Sequence, residues 1–71
     1  MTKGRIVQVM GPVVDVEFPD NDLPYIKDAL EVDNHGKKCV MEVAQHVGNN
    51  TVRCIMLSAS EGLSRDMEVV A

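Results

Sequence analysis

Four side chains in this sequence have the chemistry to hold a metal: His35, Cys39, His46 and Cys54. Zinc sites take such residues in short paired spacings, and none of the four falls in that pattern. His35 also stands between Asn34 and Gly36, a turn signal rather than a ligand platform. Ser58, Ser60 and Ser64 offer hydroxyls, but a serine nucleophile needs a base beside it and no histidine is tied to them. They read as loop residues whose hydroxyls satisfy nearby backbone groups. Gly36-Lys37-Lys38 is the nearest echo of a phosphate-cradling loop. It lacks both a glycine five residues earlier and a Ser or Thr after Lys37, so a hairpin turn explains it better. The expectation is therefore a chain with no catalytic residue, no metal ligand and no cofactor-binding residue of its own.

The two cysteines are too few and too far apart for a disulfide framework or a C-x-x-C redox pair. A hairpin turning near Gly48 and Asn49 would set Val43, not Cys39, opposite Cys54. Both thiols are expected to be reduced and packed in or near the core.

Seventy-one residues form one small domain, 1–71. Phe18 and Tyr25 are the only aromatics, so the core must be aliphatic, and its valines favour sheet over helix. The net charge of −4 and seven scattered Lys and Arg argue against nucleic acid as a partner. Too few aromatics are present for a base-stacking barrel. The acids Asp15, Glu17, Asp20, Asp22, Asp28, Glu31 and Asp33 crowd one stretch against a single Lys27, which predicts one acidic flank. No apolar run approaches the roughly 20 residues that cross a bilayer, and Thr2 and Lys3 follow Met1 directly. These features predict a cytosolic chain without a signal peptide or direct membrane insertion.

The elements read as short strands between turns. Residues 4–10 and 13–18 flank Gly11-Pro12, a strand break, and Val14, Val16 and Phe18 alternate with wet Asp15 and Glu17. A single helical turn is expected over 23–26 with Asp22 as its cap. Residues 29–33 and 38–46 make a hairpin about Asn34-His35-Gly36, with Cys39, Met41 and Val43 inward and Glu42 and His46 outward. Gly48-Asn49-Asn50 turns the chain into 51–57, whose inward face is ambiguous because only Arg53 is charged. A polar loop around Gly62-Leu63 leads to a last strand at 67–70. Met10, Met41, Met56 and Met67 lie inside strand patterns and read as core filler. Six short strands predict an all-β fold, a small closed six-stranded β-barrel without free sheet edges. Apolar residues on both faces of 51–57 exceed what one small core can bury. Ile55 and Leu57 are thus candidates for a protein interface.

The run KGRIVQVMGPVVDVEFP (Lys3 to Pro19), with ALEV (29–32), MEVAQHVGNNTVRCI (41–55) and EGLSRDMEV (61–69), resembles the opening of F-type ATP synthase β subunits. The resemblance covers nearly the whole chain. It implies the N-terminal barrel of that subunit, truncated before its catalytic domain. Such barrels form a crown ring with α-subunit barrels on a catalytic head whose α and β subunits are the partners. The parent complex makes ATP from ADP and phosphate on a proton gradient, using Mg, at the inner face of the cell membrane. The fragment itself would be non-catalytic, assembling with neighbouring subunits and capable of self-association. Gly11 and Pro12 match the family's strand break, and Gly62, Leu63 and Arg65 match its G-L-x-R segment, with Arg65 anchoring the loop. Asp66 stands where the family usually has Gly, a position that tolerates Asp at modest cost if it needs a positive φ. A rival reading is an independent small barrel that binds a peptide or nucleic acid.

Overall fold

A computed structural model describes residues 2–19, 22–57 and 62–71. Six strands lie among them: β1 (Lys3–Met10), β2 (Val13–Glu17), β3 (Ala29–Asn34), β4 (Lys37–Gly48), β5 (Thr51–Met56) and β6 (Glu68–Val70). They close into an antiparallel barrel in the order β1-β2-β5-β4-β3-β6. The expected all-β, six-stranded closed barrel is what the chain forms.

Hairpin chemistry sets the register. Gly11 carries φ +57 ahead of Pro12 and joins Met10 to Val13 in a two-residue turn. His35 and Gly36 (φ 54 and 90) turn β3 into β4, and Asn49 and Asn50 (φ 55 and 59) turn β4 into β5. Paired positive φ is the turn type whose twist matches that of the flanking strands, and Asn and Gly adopt it most readily. Gly48, also at positive φ, closes β4 opposite Thr51.

Inward positions meet in one core: Ile6, Val14, Val16, Phe18, Leu30, Val32, Cys39, Met41, Val43, Val52, Cys54, Met56 and Val69. Pairing resolves the ambiguous face of β5. Cys54 lies between Val14 and Val43, and Val52 lies opposite Val16, so the even-numbered residues point inward. Phe18, the core's sole aromatic, packs directly on Gly4. A Cβ at Gly4 would lie 2.8 Å from the ring and 2.7 Å from the Glu17 carbonyl oxygen.

Several expectations are corrected. No helical turn forms at 23–26. Instead Asp28 N–H donates to the Tyr25 carbonyl (3.0 Å), and Lys27 sits at φ 78. The Asp28 carboxylate in turn accepts from Tyr25 N–H (2.9 Å), so Asp28 rather than Asp22 holds this turn. β4 runs past residue 46 to Gly48 because bulges around Ala44 and Val47 each absorb one residue. Met10 is not core filler, being 50 % exposed. The acidic stretch does not form one flank either. β2 and β3 lie three positions apart in a ring of six, which places Asp15 and Glu17 on the opposite side from Glu31 and Asp33.

Candidate functional site: an apolar ridge on the barrel wall

The residues with chemistry in their side chains are kept apart. Cys39 and Cys54 are free thiols inside the barrel, on separate rows, with Val43 opposite Cys54. His35 occupies an exposed turn position. His46 lies on the distal part of β4, where Nε2 donates to the Pro24 carbonyl (2.7 Å) and ties the loop before β3 to the barrel. Among the described residues no cluster of His, Cys, Asp and Glu could hold a metal ion. Ser64 is exposed, while Ser58 and Ser60 lie outside the described residues.

The outer wall is different across β1, β2, β5 and β4. Val13 pairs with Met10 on one side and with Ile55 on the other. Leu57 continues the row, its N–H donating to the Val40 carbonyl (3.0 Å). Ile55 and Leu57 remain 39 % and 62 % exposed, with Val13 and Val40 half-buried beside them. Odd-numbered positions of β5 point outward, so this apolar surface follows directly from strand period. The hairpin at Gly11-Pro12 buttresses it, since Met56 N–H donates to the Pro12 carbonyl (2.8 Å).

Beside this ridge an ion pair lies flat on the wall. Arg53 donates from Nε to one oxygen of Asp15 (3.0 Å) and from Nη2 to the other (3.1 Å). The two are direct cross-strand partners, and the Asp15 side chain is only 8 % exposed beneath the guanidinium. An outward carboxylate was expected to be wet, and the sequence pattern gave no sign of this cover. The Asp15 hydrogen bond, and then its charge, raise the Arg53 pKa above its ordinary value. Burial, reinforced by the Asp15 charge, pushes the Cys54 thiol up to about 12. The wall residue thus helps keep the core thiol neutral.

A second set of contacts fastens the loop before β6. Asp66 N–H donates to the Ile6 carbonyl (2.7 Å), and Ile6 N–H donates to the Met67 carbonyl (3.0 Å). Arg5 reaches Glu17 (3.0 Å) and Asp66 (3.4 Å). Gly62, at φ 87, lies against the buried Asn34 side chain, where a Cβ would come within 3.1 Å of its Oδ1.

The sequence matches the ATP synthase alpha/beta family, beta-barrel domain, over residues 6–71. The chain belongs to that family. Within the ATP synthase alpha/beta barrel, Gly11, Pro12, Gly36 and Gly48 occupy hairpin junctions, and Gly62 occupies the close approach to Asn34. Arg65 is exposed, and among the described residues Asp66 N–H and Arg5 hold the loop. Asp66 adopts φ 74, so the position does take the left-handed conformation that favours glycine.

Proposed function

We propose that this barrel is the β-subunit version of the domain and acts as a structural assembly element in the crown of an ATP synthase head. It packs against neighbouring α-subunit barrels and performs no chemistry. In this reading nucleotide, ADP or ATP with Mg, is handled by polypeptide outside the barrel. The parent is a proton-driven ATP synthase whose head stands on the cytoplasmic side of the cell membrane.

The β-subunit assignment is supported by the run Lys3 to Pro19 and by the segment Met41 to Ile55. The assembly role is carried by one observation, the half-exposed row of Met10, Ile55 and Leu57 on a barrel whose core is already closed. Exposed apolar surface gains most when another protein covers it. The test is assembly of the whole head with Ile55→Ser and Leu57→Ser in the β subunit. Both changes are on the outer wall, outside the buried core. The expected result is loss of assembled head, whereas normal assembly with both serines present would reject the role. The isolated chain should show only background ATP hydrolysis.

A further inference from the structure

The apolar ridge ends in a side chain with redox chemistry. A thioether is the one apolar group in the row that a peroxide converts into a polar one. Met10 closes β1 and faces outward, 50 % exposed, whereas Met41 and Met56 are buried in the core and Met67 packs against it. Access therefore ranks Met10 first among the described methionines. The thiols do not compete, since Cys39 and Cys54 are both buried. Attack on Met41, Met56 or either thiol waits for the barrel to open, and attack on Met10 does not. Position gives that attack a consequence. Met10, Val13 and Ile55 are successive cross-strand partners on β1, β2 and β5, so their side chains stand in one outward row. A sulfoxide puts an S=O acceptor at the end of the row. Facing water it is solvated, but beneath a partner it must find a donor or be left unpaired.

We propose that Met10 is a methionine oxidation site whose sulfoxide blocks coverage of the ridge and makes assembly redox-sensitive. This rests on the assembly role proposed above and names its regulation. In the step, the thioether sulfur attacks one oxygen of hydrogen peroxide, the O–O bond breaks and an S=O bond forms. Sulfur loses two electrons, and the second peroxide oxygen leaves as water with both protons. Methionine sulfoxide reductases, one for each epimer, return the thioether with a thiol reductant. The coupling is reciprocal: a partner seated on the ridge shields Met10, so the free subunit is oxidised faster than the assembled head.

The chain is treated with dilute hydrogen peroxide and followed by peptide mass spectrometry. Sulfoxide is expected at Met10 severalfold faster than at Met41, Met56 or Met67, and equal or slower oxidation of Met10 overturns the proposal. Heads are then assembled from subunits carrying the parent barrel or Met10→Leu, each with and without peroxide. Leucine keeps the apolar volume and removes the sulfur. Peroxide should lower assembly of the parent about tenfold, as one unpaired polar group under a partner requires, and should leave Met10→Leu unchanged. Treatment with both reductases should restore the parent. Equal loss in Met10→Leu, or no loss in the oxidised parent, overturns the proposal. Met10→Gln, polar and of similar length, should reproduce the loss without any oxidant. If oxidised Met10 and Met10→Gln both assemble normally while Ile55→Ser and Leu57→Ser abolish assembly, the redox control fails and the assembly role stands. If none of these changes affects assembly, both fail.

Discussion

Gly4→Ala sets two effects of opposite sign against each other. Gly4 is not among the positive-φ glycines, so alanine is free to adopt its backbone conformation. Removing chain entropy from the unfolded state would then stabilise by about 0.4–1 kcal/mol. Against this, the new methyl would stand 2.7 Å from the Glu17 carbonyl oxygen and 2.8 and 2.9 Å from two atoms of the Phe18 ring. Overpacking of that kind costs about 1–3 kcal/mol. The upper part of that range applies, because a backbone oxygen held between paired strands cannot swing away as a flexible side chain would. The net is a loss of about 2 kcal/mol, from a total that for a domain of this size is roughly 4–10 kcal/mol. Thermal unfolding followed by circular dichroism should show a Tm lower by about 8–16 °C. Urea unfolding should show a lower midpoint with an unchanged slope. In a Phe18→Leu background the same change should cost less, by about 1 kcal/mol, because only the ring contacts are relieved and the carbonyl contact persists. A Gly4→Ala variant as stable as the parent, or more stable, would refute the close approach of β1 to Phe18.

Three further outcomes are expected. Asp66→Gly should raise stability by about 0.5 kcal/mol in urea unfolding, since it relieves a positive φ and gives up only an ion pair whose carboxylate is 78 % exposed. Arg53→Ala and Asp15→Ala should lower the Tm by similar, small amounts, because without its partner each outward charge turns to water. The Cys54 thiol, pushed up to about 12, keeps its proton in the folded barrel through a range where the unfolded chain loses it. Its contribution to stability is therefore complete below about pH 9 and is lost as pH rises toward 12, at about 1.4 kcal/mol per unit. Urea midpoints of the parent and of Cys54→Ala should converge over that interval, and labelling of the native Cys54 thiol at pH 8 should be limited by unfolding.

The strands and their turns could be read from the sequence because each rests on a local signal: Gly11-Pro12, Asn34-His35-Gly36 and Gly48-Asn49-Asn50 between runs of β-branched residues. The register at Cys54 followed from one of those turns. What could not be read depends on which strands become neighbours. Asp15 looks solvated from period two alone, and only the pairing of β2 with β5 brings Arg53 over it. The acids of 15–33 look like one flank until strand order sends β2 and β3 to opposite sides. Bulges defeat period counting in β4, where Ala44 and Val47 shift the phase. Ile55 and Leu57 were visible as surplus apolar residues, but their extension through Val13 to Met10 was not, because Met10 reads as core until β1 is paired with β2. At 25–28 the signal was present and outweighed. An Asp three residues after Tyr25 fits a turn as well as a helix, and no length of chain was available to propagate a helix.

The seam between β3 and β6 is where the barrel is held least. β6 has three residues and meets β3 at only two register pairs, Glu31 with Val70 and Val32 with Val69, whereas β3 and β4 share six. Opening there would free β3 from β6 while leaving the hairpins intact, so amide exchange at Val69 and Val70 should be faster than at Val52 and Cys54. An assembly partner that covered this seam from outside would bind only the closed form. Assembly then stabilises the barrel by mass action, most strongly at its weakest join. The prediction separates a clamp from a mere contact. In the assembled head, protection at Val69 and Val70 should rise by more than protection in β5, whose amides are paired on both sides and already slow. Equal gains across all strands would show that the neighbour covers the surface without holding the seam, and the coupling of assembly to closure would be wrong.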